Sequence, residues 1–260
     1  MTDLTFVHLS DLHILPQPDD LLKDQRPGEK LRNVIRIIRN MAINPDFFVL
    51  SGDLANDGDD AEYKSLNTLL DELRDFDVPL ILGLGNHDRR LPFRRVVLGE
   101  EATEESQRYY HSAMIAGLRV IMLDSKVPDA VYGDLDAAQL AWLAAELRQP
   151  APLGNLIAVH HPPVFSTVEP LNEHCLRNPD ALAQTIAGHH VHAILSGHIH
   201  YPHLTSFHQT ISITSPAVAY MLDPGSQHEF SPTDGWGFTL CSLRRGKLYA
   251  NPITVHSSDA

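Results

Sequence analysis

Three things are scarce in this sequence of 260 residues, and each scarcity excludes a class of protein. Cysteine occurs only as Cys175 and Cys241, far apart and outside any CxxC pattern. That rules against a disulfide framework and against a thiolate zinc site, and leaves two unpaired thiols. Positive charge is also sparse: 20 Lys and Arg stand against 33 Asp and Glu, a formal net charge of −13. No diffuse positive field exists to attract duplex nucleic acid or an anionic membrane, so a small anionic substrate would need a local positive charge of the kind a bound metal supplies. Long apolar runs are missing too, and Met1-Thr2-Asp3-Leu4 does not open a basic region followed by an apolar one. A cytoplasmic location without membrane association is therefore expected. The length suits one large α/β domain over residues 1–260, with 255–260 a frayed tail.

Histidine, by contrast, is abundant, with sixteen in the chain. That is more than packing needs, and neutral imidazole is the commonest transition-metal ligand. The remaining pattern is one of short apolar, β-branched runs alternating with segments of helical period, as in a layered α/β domain. Strands are expected at Thr5–Leu9, Phe47–Leu50, Pro79–Leu84, Arg119–Leu123, Leu156–Val159 and Ala193–Leu195. Helices are expected at Leu31–Met41, Ala61–Phe76, Asp136–Leu147 and Asp180–Ala187, with Asp136 and Asp180 as N-caps. From Leu204 onward the pieces Thr210–Thr214, Gly237–Leu243 and Lys247–Val255 suggest a second sheet that closes the fold, with a Pro/Gly-rich loop at Asp223–Gly235.

Five of these strands run into ligand-type residues at their C-terminal ends. They are Ser10-Asp11-Leu12-His13, Ser51-Gly52-Asp53, Gly85-Asn86-His87-Asp88, His160-His161-Pro162-Pro163 and Gly197-His198-Ile199-His200. The crevice beyond strand C-termini is where open α/β sheets bind ligands, so a site assembled from several strands requires this convergence. Gly52, Gly85 and Gly197 would let the backbone turn and approach a metal or phosphate closely. Taken singly, each polar residue reads better as turn polarity or a core hydrogen bond; taken together, they point to metal.

In this order, Asp11-Leu12-His13, Gly52-Asp53, Gly85-Asn86-His87-Asp88, His160 and Gly197-His198-Ile199-His200 resemble the motif set of calcineurin-like metallophosphoesterases. The chain is most similar to the bacterial class III cyclic nucleotide phosphodiesterases and their glycerophosphodiesterase relatives, which share Gly52-Asp53-Leu54-Ala55 with Gly58, a strand ending near Asp124, and Gln139, Trp142 and Leu143. The resemblance implies a four-layer α/β/β/α sandwich with two mixed sheets. It implies one metal held by Asp11, His13, Asp53 and His200, and a second by Asp53, Asn86, His160 and His198, with Asp53 bridging. Two carboxylates facing two divalent cations leave positive charge for a phosphate. Mixed nitrogen and oxygen ligands suit manganese, iron, cobalt or zinc. His87, beside Asn86, is placed to contact a phosphate oxygen or protonate the leaving group. Asn86, His87 and His200 would meet the substrate, and Asn172 and His174 lie where relatives shape the pocket. A homodimer is compatible with the resemblance.

The expected substrate is a small phosphodiester, 3′,5′- or 2′,3′-cyclic AMP first, a glycerophosphodiester or a monoester second. The arginine clamp of protein phosphatases is missing after Gly52-Asp53. A catalytically silent scaffold is the remaining rival, although no ligand residue is missing. His161, adjoining His160, is expected to point away from the metals. His189, His190 and His192 read as solvated loop residues, His8 as a core histidine, Asp88 as turn or support, and Arg89-Arg90 as an exposed pair.

Overall fold

The computed structural model describes residues 3–101, 104–164, 168–225 and 231–256. Along the chain the elements are β1 (Leu4–Leu9), α1 (Pro27–Asn40), β2 (Phe47–Leu50), α2 (Asp60–Arg74), β3 (Leu80–Leu82) and α3 (Arg90–Phe93), which continues into a π-helical turn at Arg94–Leu98. Then come β4 (His111–Ile115), β5 (Leu118–Leu123), α4 (Ala137–Leu147), β6 (Asn155–Val159), a 3-10 turn (Glu169–His174) and α5 (Pro179–Ile186). The chain ends in β7 (Val191–Ser196), β8 (His203–Phe207), β9 (Thr210–Thr214), β10 (Trp236–Arg244) and β11 (Lys247–Val255).

These strands form two sheets, ordered β11-β10-β1-β2-β3 and β4-β5-β6-β7-β9-β8. Both are mixed: β1, β2 and β3 are parallel while β10 and β11 are antiparallel neighbours, and β5, β6, β7 and β9 are parallel between antiparallel β4 and β8. Period-two alternation sorts the side chains into layers. In β1 and β2, Leu4, Phe6, Phe47 and Val49 meet Val120, Met122, Leu156 and Ala158 of the other sheet. Their neighbours Val7, Leu9, Phe48 and Leu50 turn outward onto Leu31, Val34, Ile35 and Ile38 of α1 and Leu66, Leu69 and Leu70 of α2. On the far side Ile121, Leu123, Ile157 and Val159 meet Leu143 and Leu147 of α4 and Leu182 and Ile186 of α5. The result is the expected four-layer α/β/β/α sandwich with two mixed sheets.

Local chemistry sets the helix starts. Asp59 accepts from Glu62 N at 2.9 Å and the Glu62 carboxylate reaches back, a capping box for α2. Asp136 caps α4 as expected, accepting from Gln139 N at 2.8 Å. Asp180 does not cap α5: Asn178 stands at that position and Pro179 takes the first helical place, leaving Asp180 in the first turn. Pro27 likewise starts α1 four residues ahead of Leu31, where the apolar period begins. The third strand is shorter than Pro79–Leu84, because the chain leaves the sheet at Gly83 to reach the site. β4 and β8 were not expected; both are edge strands. The C-terminal strands do not build a second sheet of their own. β9 pairs with β7, while β10 pairs with β1 and thus joins the chain's two ends. Val255 is paired with Trp236 rather than frayed, and residues 257–260, like 226–230 of the Asp223–Gly235 loop, lie outside the described residues.

Candidate dimetal centre

The strand ends converge as the sequence suggested, and the backbone is bent to make them do so. Asp11 (φ 54°), His13 (45°), Asp53 (49°), His198 (72°) and His200 (56°) all occupy the left-handed region. L side chains clash there at about 1–2 kcal/mol each, so the surroundings must impose it. They do so through Asp11 N to Gly52 O (3.0 Å), His13 N to Asp53 O (2.9 Å), Gly197 N to His160 O (3.0 Å) and Ala219 N to Asp11 O (3.0 Å). Two glycines are required by close approach. A Cβ on Gly85 would collide with the Asp53 carboxylate, and one on Gly197 with Ser10 Oγ and Asp11 Oδ2.

Asp53 lies at the middle. Its Oδ2 is 3.2 Å from His160 Nε2 and 3.6 Å from His13 Nε2, while its Oδ1 accepts the His87 N–H at 2.9 Å. His13 Nε2 and His200 Nε2 face one another at 3.1 Å, and Asp11 Oδ1 is 3.4 Å from His200 Nε2. The ligand atoms of Asp11, His13, Asp53 and His200 all fall within 4.8 Å of each other. Those of His160, His161 and His198 form a second such group.

Tautomers follow from carbonyl partners, which can only accept. His200 Nδ1 donates to Tyr220 O at 2.8 Å and His160 Nδ1 to Ser51 O at 3.2 Å, so in the neutral rings Nε2 carries the lone pair and is turned into the site. Burial holds His13, His161 and His198 well below the usual imidazole range, and His200 is lowered for the same reason, despite Asp53 or Asp11 nearby. Burial also pulls on His160, but the adjacent Asp53, with Asp11 and Asp88, lifts it to about 9. Burial would raise Asp53, yet His160, His87 and His13 keep its carboxyl well below the carboxylate range. His198 Nε2 and Asn86 Oδ1 are buried without a hydrogen-bond partner, and His160 Nε2 has the Asp53 carboxylate beside it. Orphaned acceptors around two buried carboxylates are the donor set a pair of transition-metal cations would satisfy.

The remaining expected residues divide. His87 is exposed at the cleft, its Nδ1 donating to Asn56 O at 2.6 Å, so Nε2 faces outward. His174 lines the cleft, with its ring 5.7 Å from that of His198, whereas Asn172 is not among the lining residues. His161 does not turn away from the cluster: β6 has ended at Val159, so strand alternation no longer applies, and its Nδ1 is paired with Ser125 Oγ at 2.7 Å. Asp88 is a buried staple, accepting from Leu54 N, Ala55 N, Gly85 N and Tyr63 Oη. Arg89 is exposed but Arg90 is buried, bonding Asp124 at 2.7 and 2.9 Å, because the third β-strand's loop folds back over the end of β5. His192 is a strand residue rather than a loop one, its ring bonded to Leu153 O at 2.7 Å. His8 is in the core, paired with Ser51 Oγ at 2.8 Å.

The sequence reading missed Lys23, Val131, Leu171, Tyr220 and Leu222, which complete the cleft wall. It also missed Lys126, whose Nζ donates to Asn86 O at 2.5 Å and braces that loop from below. None of these lies in a strand-end motif, which is why spacing gave no signal for them.

The sequence profile of the family described as Calcineurin-like phosphoesterase matches residues 4–202. A Rhodococcus erythropolis protein named "Probable cyclic nucleotide phosphodiesterase" is 38% identical over 204 residues, covering 77% of this chain and 66% of that protein. The cAMP/cGMP dual specificity phosphodiesterase of Mycobacterium tuberculosis is 35% identical over 200 residues, covering 76% of this chain and 62% of the relative. This chain thus spans 62–66% of the length of those two relatives. Among solved structures, a purple acid phosphatase from yellow lupin seeds superposes with a TM-score of 0.70 at 14% identity, over 99% of this chain and 52% of that one, which speaks to the fold. No helix among the described residues is long and apolar enough to cross a membrane.

Proposed function

The chain belongs to the calcineurin-like phosphoesterase family, and from that premise we propose that it is a dimetal-dependent phosphodiesterase acting on small phosphodiesters, cyclic nucleotides first. The observation that carries this reading is the position of Asp53 between two groups of ligand atoms, with one oxygen close to both His13 and His160. Asp11, His13, Asp53 and His200 would hold one cation and Asp53, Asn86, His160 and His198 the other. Manganese, iron, cobalt or zinc fits this nitrogen and oxygen set. When bound, such a pair supplies Lewis acidity toward phosphoryl oxygens and a more acidic water. Because β1 and β2 lie in one sheet and β6 and β7 in the other, neither sheet alone assembles the site, and we read the chain as one domain.

The chain's own contribution begins with orientation. Carbonyl partners fix the His160 and His200 rings, and backbone N–H groups of His87 and His198 fix the Asp53 and Asp11 carboxylates. His87 then handles the leaving group. As a hydroxide oxygen bonds to phosphorus and the P–O bond to the alkoxide breaks, a doubly protonated His87, its Nδ1 held by Asn56 O, donates its Nε2 proton to the departing oxygen and ends as the neutral Nδ1–H tautomer. Apolar Val131, Leu171 and Leu222 line the cleft and would pack against the body of that leaving group.

Two buried cysteines that form no disulfide accord with a reducing compartment, and we place the protein in the cytoplasm. The test is to strip the protein, restore manganese, and assay 3′,5′- and 2′,3′-cyclic AMP, bis(p-nitrophenyl) phosphate and p-nitrophenyl phosphate. Metal-dependent cleavage of the diesters over the monoester is expected. Preference for the monoester would reassign the site, and metal uptake without turnover of any ester would mark a scaffold.

A further inference from the structure

The cleft's wall carries information about the alcohol that a substrate may present. Among the described residues lining it, Lys23 is the one Lys or Arg, and Tyr220 the one Phe, Tyr or Trp. Lys23 stands in a left-handed turn (φ 49°) ten residues beyond His13 and lines the cleft. Its Nζ lies 4.6 Å from the centroid of the Tyr220 ring. That ring is fixed in turn, 4.5 Å from the His200 ring and 5.9 Å from the His13 ring, and its backbone carbonyl holds His200 Nδ1. Lys23, itself exposed, therefore presents its ammonium group at the rim of the candidate metal cluster, over an aromatic face.

Sites that take choline-like cations use open aromatic faces, over which the ligand's own positive charge sits. Here that position on Tyr220 is already held by the protein's ammonium group. An incoming quaternary or primary ammonium would lose the aromatic face and meet a like charge as well. Resting on the phosphodiesterase reading above, we propose that Lys23 is a specificity-determining residue. It rejects phosphodiesters of cationic alcohols, such as choline or ethanolamine, and admits those whose alcohol is uncharged or anionic, nucleosides included. Rejection by a built-in like charge is as effective a source of specificity as an added contact. It also separates the two diester classes that the motifs alone leave together.

The experiment compares glycerophosphocholine with glycerophosphoglycerol, which share the glycerol phosphodiester and differ in the charge of the second alcohol. kcat/KM for each is measured in the manganese-restored wild type, Lys23→Met and Lys23→Glu. Thermal melting reports that the variants fold. A like charge at about 8 Å near the surface shifts affinity by about two- to tenfold. The wild type is expected to favour the uncharged diester, Lys23→Met to move the ratio about two- to tenfold toward the choline diester, and Lys23→Glu to move it further, chiefly through KM. High salt should compress the differences. Comparing ratios between variants cancels the intrinsic difference between the leaving groups. The same ratio in all three proteins, or a ratio that moves away from the choline diester when the positive charge is removed, overturns the assignment while leaving the phosphodiesterase reading intact. Failure to cleave any diester, bis(p-nitrophenyl) phosphate included, overturns both.

Discussion

At the scale of single residues, the site is a set of buried imidazoles and two carboxylates whose orientations are fixed by hydrogen bonds from the chain itself. Asp53 is the member both groups share, so Asp53→Asn should lower the bound metal from two equivalents to one or fewer, as read by atomic absorption after gel filtration. Retention of both equivalents would remove Asp53 from its central role. His87 differs from the other histidines of the site in being exposed, with its Nδ1 bonded to Asn56 O. His87→Ala should keep its metal and lower kcat by about 10²–10³ for a diester with an alkoxide leaving group. The loss should be much smaller for bis(p-nitrophenyl) phosphate, whose phenolate leaves without a proton. An equal loss on both substrates would argue for phosphate binding rather than proton donation.

At the scale of elements, the strand-end loops depend on contacts away from the metals. The start of α2 follows directly on the Asp53 loop, and its capping box satisfies backbone donors there: Glu62 accepts from Asp57 N and Gly58 N, both at 2.8 Å. Asp59→Ala should cost about 1 kcal/mol, measured by urea denaturation. The loop carrying Asn86 and His87 is held from the other sheet by the Arg90–Asp124 pair, both partners essentially fully buried. Removing one member of such a pair leaves a buried charge, so Arg90→Met should destabilise by about 3–5 kcal/mol. Arg90→Met combined with Asp124→Leu should recover part of that. No recovery in the double variant would show that the pair acts through its other bonds, such as Arg90 to Lys126 O.

At the scale of the whole molecule, one buried lysine couples a helix to the far end of the chain. Lys30 in α1 donates to Ala219 O at 3.0 Å and to Asp234 O at 3.4 Å, so it ties the first helix to the segment beside Tyr220. Burial lowers its pKa from 10.5 to about 8, against the pull of Asp234. A folded-state value below the unfolded one means that the unfolded chain holds more protons between these limits. Stability should therefore rise as pH increases from about 8 toward 10, with the cost of charging Lys30 fully present below that window. Urea midpoints across this range should show the rise in the wild type and a flatter profile in Lys30→Met. Equal slopes would mean that Lys30 stays solvated.

The sequence by itself determined what is local and periodic. Apolar runs at Thr5–Leu9, Phe47–Leu50 and Leu156–Val159 became strands because a short continuous apolar, β-branched run suits a strand buried on both faces. The ligand motifs were legible because each follows its own strand immediately. It also determined the capping of α4, since Asp136 and Gln139 are neighbours on one turn. Only the tertiary structure decided which distant pieces face each other. It buried Arg90 against Asp124, drew His161 toward His160 and His198, divided the C-terminal strands between two sheets, and set Lys23 over Tyr220. The Arg90–Asp124 and Lys23–Tyr220 pairings join residues 34 and 197 positions apart, and depend on how the two sheets and their loops pack rather than on any repeat along the chain.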